Sequence, residues 1–347
     1  MRHSSTSIDS AGPVVLTNRD AFSSVVRRNA TRVMSVIAAM SVLIGCGDGP
    51  SAKTSNGSAP SRAAGAKPVY IATTPMVGDV VRAIAGDRAE VITLLGPGVD
   101  PHLWSPTRSD VLRILDADAV FLSGLMLEGR AGDAFARVEQ SGRPVLRIAE
   151  TLPKAELLTD PANPSHFDPH VWMDPVLWAK TAPAVRDALI KLDPDGAAQF
   201  TRNAQTFVDD AATLDRECAL AISSIPFSMR TLITAHDAFG YYGKRYGLQV
   251  RGIQGISTES EASIADIERL VAEISENKIP AVFIETTVSD RTIRALVEGC
   301  AARGHDVIIG DSLYSDSLGR TGTPEAQWSG MIRANTKSIT NALGGRY

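Results

Sequence analysis

From Lys67 onward, short β-branched runs alternate with stretches whose apolar residues recur every three or four positions. "PVYIATT" predicts a strand and "MVGDVVRAIAG" the helix behind it, with Gly86 placed to stop that helix. "AEVITLLG" predicts the next strand. "SPTRSDVLRILDAD" predicts a helix with Ser105 as N-cap, Pro106 at the first helical position, and Val111, Leu112 and Leu115 on one face. "AVFLSG" and "PVLRIAE" follow as strands around the helix "GDAFARVEQSG". The rhythm restarts after Met229 with the strands "RTLITA", "LQVRGI", "PAVFIET" and "DVIIG". Between them lie the helices "AFGYYGKRYG", "SIADIERLVAEISENK" and "DRTIRALVEGCAARG", and "EAQWSGMIRANTKSITNAL" closes the chain. This is the strand-helix-strand order of parallel sheets.

Between the two halves, Phe200, Ala204, Phe207, Ala211, Leu214, Cys218 and Ile222 recur at steps of three and four without a proline. At ~1.5 Å per residue, a helix from Asp195 to Ser223 would be about 40 Å long, enough to run across two lobes. The expected fold class is therefore α/β, with two parallel-sheet lobes joined by one long backbone helix. The expected boundaries are 68–192 for the first lobe, 193–225 for the connecting helix and 226–347 for the second lobe. No short fixed period marks a solenoid.

The N-terminus follows a different pattern. Arg27, Arg28 and Arg32 precede the apolar run "VMSVIAAMSVLIG", which is too short to span a bilayer comfortably and ends at Cys46. "LIGC" resembles a bacterial lipobox, which implies a signal peptide over 1–45 and an acylated Cys46 as the first mature residue. Residues 46–67 are rich in Gly, Ser, Ala and Pro with no large apolar residue, so they read as a flexible tether with a reach of about 25 Å. The expected location is extracytoplasmic, lipid-anchored on the periplasmic side of the cell membrane. Cys218 and Cys300 each lie on an apolar helical stripe, and buried free thiols are expected there rather than a disulfide.

With 44% hydrophobic and 21% charged residues the chain is globular, and a net charge of only −4 gives no basic footprint for nucleic acid. The chemistry concentrates in the histidines. There are six histidines and four tryptophans, yet Asp-Pro-His-x-Trp occurs twice, in "DPHLW" from Asp100 and "DPHVW" from Asp168. In open α/β sheets ligands bind beyond the carboxyl ends of strands. His102 follows "VITLLG", His170 lies beyond "VLRIAE", His236 ends "RTLITA", and Asp311 and Asp316 both follow "DVIIG". Pro101 and Pro169 stiffen the backbone before each imidazole, and Asp100 and Asp168 can accept backbone hydrogen bonds that hold the turn. His166 and His170 are four apart, but Pro169 opposes a helix there, so His166 reads as an exposed loop residue. His305 falls at the opposite end of its sheet. Glu285, ending "AVFIE", is placed either to hydrogen-bond a ligand imidazole or to bind backbone or water.

The stretches "GPGVDPHLWSPT", "DPHVWMDP", "AHDAFGYYGKRYGL", "GIQGISTESEAS", "IPAVFIETTVSDRTI" and "LYSDSLG" together resemble the ordered signature of metal-binding lipoproteins that serve ABC importers for manganese, zinc and iron. The resemblance runs from about residue 68 to the C-terminus. It implies a metal in the cleft between the lobes, held by His102, His170, His236 and an acid in the "YSD" position, which selects Asp316 over Asp311. It also implies as partners a permease membrane subunit with its ATPase, one divalent ion as cargo (Mn²⁺ or Zn²⁺, with Fe²⁺ admitted), and a monomer. His236 stands where some manganese-type members carry Glu, which weakens manganese by analogy. The segment "TLPKAELLTDPANPS" lacks the histidines that zinc-type relatives carry in a loop there, which weakens zinc.

Three imidazoles and a carboxylate suit a borderline divalent ion, and four protein ligands resemble a closed site more than a catalytic one. No His-Glu-x-x-His element supplies a general base, so the expectation is a binding protein and not an enzyme. The competing readings are a cell-surface zinc hydrolase and a metal-containing adhesin.

Overall fold

The computed structural model describes residues 65–347. The expected signal segment, Cys46 and nearly all of the tether lie outside the described residues. The first lobe runs β1 (Val69–Ala72), α1 (Pro75–Ala85), β2 (Glu90–Thr93), α2 (Arg108–Asp116), β3 (Ala119–Leu122), α3 (Gly132–Gln140) and β4 (Val145–Arg147). Its four strands are all parallel in the order β2-β1-β3-β4. Two helices, α4 (Pro175–Ala179) and α5 (Ala182–Leu192), then lead into α6 (Ala197–Ser223), the long connecting helix. Pro stands in the first turn of α4, behind Asp174 as N-cap, and that is the role of the second Asp-Pro in "DPHVWMDP".

The second lobe contains β5 (Thr231–His236), α7 (Gly240–Tyr246), β6 (Gln249–Gln254), α8 (Ile264–Asn277), β7 (Ala281–Val282), α9 (Arg291–Ala302) and β8 (Ile308–Ile309), and α10 (Trp328–Ala342) closes the chain. Parallel ladders join β5 to β6 and β7 to β8. The Phe283 N–H donates to the Ile233 carbonyl at 2.9 Å, so the strands lie in the order β6-β5-β7-β8, the topology of the first lobe repeated. The expected α/β architecture of two parallel-sheet lobes and one long helix is the one observed.

All seven apolar positions read from the sequence of α6 are buried. The helix packs on α1, α4 and α5 of the first half and on α7 and α10 of the second. Phe207 stacks on Trp328 with ring centroids 5.5 Å apart. Each such large side chain removed from water stabilises the fold by roughly 1.5–3 kcal/mol, so α6 holds both lobes through one continuous apolar stripe.

Three local expectations are corrected. The N-cap of α2 is Thr107, in a capping box with Asp110, and not Ser105. Leu112 and Leu115 are exposed and Ile114 alone is fully buried in α2, because the helix packs its Ile114 face on the sheet against Ile71, Val120 and Leu122. β7 and β8 are shorter than "PAVFIET" and "DVIIG" imply, although a parallel bridge between Glu285 and Leu313 extends their pairing. Cys218 and Cys300 are buried free thiols.

Candidate metal centre

Four side chains converge in the cleft between the lobes. His102 and His170 come from the first half of the chain, His236 and Asp316 from the second, and one ligand atom of each lies within 4.8 Å of the others. All four residues are buried. His236 ends β5; the other three sit on loops beyond β2, β4 and β8, all at the carboxyl edges of their sheets. Asp311 is exposed and outside the group, as is His166, whose ring meets Asn163 in a surface loop. His305 hydrogen-bonds the Ile279 carbonyl, far from the cluster in its sheet.

Each ligand-bearing loop is built by its neighbours. Asp100 Oδ1 accepts the His102 N–H at 2.8 Å, and Asp168 Oδ1 accepts the His170 N–H at 2.9 Å, so the repeated Asp-Pro-His makes the same turn twice. Asp168 also reaches the His170 ring, 2.7 Å from Nδ1, a contact the sequence reading did not anticipate. Glu285 does the corresponding work for His236 from the adjacent strand, accepting its N–H at 2.9 Å and standing 2.6 Å from Nδ1. With Nδ1 protonated and facing a carboxylate, each of these imidazoles presents Nε2 to the cluster. Gly252 lets β6 lie against this strand end: a Cβ there would come within 2.7 Å of the His236 carbonyl carbon and 2.5 Å of the Asp237 nitrogen. The tryptophan of the second motif holds Asp316, since the Trp172 indole donates to the Ser315 carbonyl at 2.9 Å. Trp104, its counterpart in the first motif, packs toward Phe135 instead.

The Nε2 atoms of His102 and His170 are 3.3 Å apart. Asp316 Oδ1 is 3.2 Å from His170 Nε2, and Oδ2 is 3.1 Å from His236 Nε2 and 3.7 Å from His102 Nε2. These separations are close enough for ion pairing, yet His236 Nε2 and both Asp316 oxygens are buried with no properly directed hydrogen bond. Buried polar atoms left without partners are rare, and here they aim at one shared point. Tetrahedral donors about 2.0–2.1 Å from an ion are about 3.3 Å from one another, and the separations of 3.1 to 3.7 Å bracket that value.

The electrostatics fit the same picture. Burial works against charge on His170, but the carboxylates of Asp316 and Asp168 outweigh it and hold its pKa at about 9. At His236 burial is likewise outweighed, by Glu285 and Asp316, and the pKa stands well above the ordinary range. Burial opposes charge on Asp316 too, yet His236 and His170 hold its carboxyl well below its usual value. His102, with no carboxylate on its far nitrogen, is pushed down to about 3 by burial. The cluster thus collects positive charge from protons wherever no other cation supplies it.

Residues 71–342 match the family described as zinc-uptake complex component A, periplasmic. The chain is 40% identical over 273 residues to the manganese-binding lipoprotein MntA of Bacillus subtilis, covering 78% of this chain and 88% of that protein. It is also 40% identical over 281 residues to the zinc-binding protein TroA of Treponema pallidum, covering 81% and 90%. The solved structure of the periplasmic zinc-binding protein TroA superposes with a TM-score of 0.78 over 81% of this chain and all of that one. Fe(III)-bound YtgA from Chlamydia trachomatis, 28% identical, superposes with a TM-score of 0.72 over 81% of this chain and 99% of that one. With its repeated Asp-Pro-His turns, its twin parallel sheets and its long connecting helix, the chain belongs to the periplasmic zinc-uptake component A family of metal-binding proteins.

Proposed function

We propose that the protein captures one divalent transition-metal ion outside the cytoplasm and delivers it to the membrane permease of an ABC importer, driven by that importer's ATPase. The observation that carries this reading is the convergence of buried imidazole and carboxylate atoms, several without hydrogen-bond partners, on one point between the lobes. His102, His170, His236 and Asp316 are the ligands, and Glu285 and Asp168 orient two of the rings. Family membership and the names of the relatives support transport over the hydrolase and adhesin readings. The boundaries 1–45, 46–67, 68–192, 193–225 and 226–347, a lipid on Cys46 and a monomeric state complete the proposal.

The cargo is Mn²⁺ or Zn²⁺, and capture and delivery favour different ions. Intrinsic affinity for nitrogen ligands places zinc above manganese at almost any such site, so zinc binds more tightly in vitro. Delivery also requires release, and the segment 151–165 carries no histidine that would mark a dedicated zinc carrier. We therefore assign manganese as the delivered ion. Metal analysis of protein purified from its native envelope, without added metal, should find close to one ion per chain. His236→Ala and Asp316→Asn should abolish that loading, whereas Asp311→Asn should keep it; full loading and affinity in either of the first two would sink the ligand set. Uptake of radioactive manganese and zinc, with and without the gene, decides the cargo, and loss of zinc uptake alone would overturn manganese. Mass spectrometry of the mature N-terminal peptide tests the lipid on Cys46, and an unmodified chain starting elsewhere would refute it.

A further inference from the structure

The motif "GIQGISTESEAS" contributes no atom to the metal cluster, yet it faces the loop that carries His102 across the cleft. Thr258 Oγ1 donates to Asp100 Oδ2 at 2.6 Å, and the other oxygen of the same carboxylate holds the His102 N–H. The next residue, Glu259, pairs with Arg130 at 2.8 Å, and the Arg130 guanidinium also reaches the Leu103 carbonyl at 3.4 Å. The turn two residues before His102 is therefore held directly by Thr258 of the opposite lobe, and the residue after it by Arg130 of its own lobe, which Glu259 pairs across the cleft. A third tie joins the Gly98 N–H to Ser317 Oγ at 2.9 Å, beside Asp316.

The other two imidazoles are held differently. His170 is fixed by Asp168 of its own loop and His236 by Glu285 of its own sheet. The supports of these two rings lie wholly within their own lobes. Among the described residues no carboxylate does this for the His102 ring, and its turn is tied to the far lobe. We propose that Thr258 and Glu259 form a clasp across the cleft that positions His102 only when the lobes are closed, and so sets how fast the captured ion leaves. This rests on reading the cleft as a metal-capture site. Of the two residues, Thr258 carries most of the effect, because it is buried and donates to a carboxylate. Arg130 and Glu259 are about half exposed, and exposed pairs contribute little.

The test is the release rate of Mn²⁺ from the full-length protein into excess chelator, followed by stopped flow. Thr258→Val keeps the shape and removes the hydroxyl, and should speed release about tenfold or more, the scale of a lost hydrogen bond to a charged group. Thr258→Ser restores the hydroxyl and should return release to within about twofold of the starting protein, while Glu259→Gln should change it by about twofold or less. The clasp is wrong if Thr258→Val releases at the unaltered rate, or if Thr258→Ser releases as fast as Thr258→Val, which would assign the residue to packing alone. An unaltered protein that binds neither Mn²⁺ nor Zn²⁺ would instead overturn the capture reading itself, so the two failures are distinct.

Discussion

Asp168 and Glu285 show how much of the proposed metal site lies one hydrogen bond behind its candidate ligands. Each carboxylate takes a backbone N–H and approaches the Nδ1 of the same histidine, fixing both the position of the ring and which nitrogen faces the cleft. Loss of such a partner weakens metal binding by about 10–100-fold in comparable sites. Glu285→Gln, which keeps the shape but not the charge, should therefore bind Mn²⁺ and Zn²⁺ at least about tenfold more weakly in a calorimeter, and unchanged affinity would mean Glu285 only caps a strand. Asp316 with Asp168 raises His170, and Glu285 with Asp316 raises His236, so both rings hold protons at neutral pH when no metal is bound. A cation needs both Nε2 atoms free, so its capture must expel about two protons at pH 7. The sign follows: affinity rises with pH through about 9, where His170 loses its proton, and keeps rising until His236 has lost its own as well. Titrations in buffers of different ionisation enthalpy measure this directly, and metal binding without proton release at pH 7 would contradict it.

At the scale of the element, the long helix α6 was the most legible part of the chain and α2 among the least. In α6 the period runs from Phe200 to Ile222, about six turns, so seven apolar residues reinforce one face while Leu220 is left in solvent. Its structural importance can be checked with Leu214→Ala, at a fully buried position on that stripe. The expected loss is about 2–5 kcal/mol in chemical denaturation, and a loss well under 1 kcal/mol would show that the stripe does not hold the lobes. In α2, only nine residues long, three leucine-class side chains could define either of two faces, and the choice was made by the sheet below it. The helix α4 is hard to read from the sequence because it is only five residues long and its Asp174-Pro175 start follows directly on the Asp-Pro-His turn. Strand-end histidines were readable because parallel strands deliver ligands to one edge by construction. Glu285 was readable as a partner for a ligand imidazole, but which histidine it serves depends on lateral pairing between strands 49 residues apart, and the link from Thr258 to Asp100 depends on a contact between lobes. No local pattern encodes contacts of that kind.

At the scale of the whole molecule, each half of the chain brings two of the four clustered residues, so an ion held by all four would be a crosslink between lobes as well as a cargo. Without it, two imidazolium groups, three carboxylates and the cross-cleft hydrogen bonds must hold the cleft together. With it, the protein gains binding free energy that the unfolded chain lacks, about 2.7 kcal/mol when free metal is a hundredfold above Kd. A metal confined to one lobe would stabilise that lobe and leave the other to unfold at its own midpoint. A metal that bridges them should raise the stability of both together. Denaturant unfolding should be followed at Trp104, in the first lobe, and separately at Trp328 on α10, by keeping one of the four tryptophans at a time and replacing the other three with Phe. Both probes should shift to higher denaturant on adding Mn²⁺ and return when a chelator removes it, and His102→Ala should abolish the shift at both. A shift confined to one probe would show that the ion does not join the lobes, and that the ligand set spanning the cleft is wrong even if one ion per chain is bound.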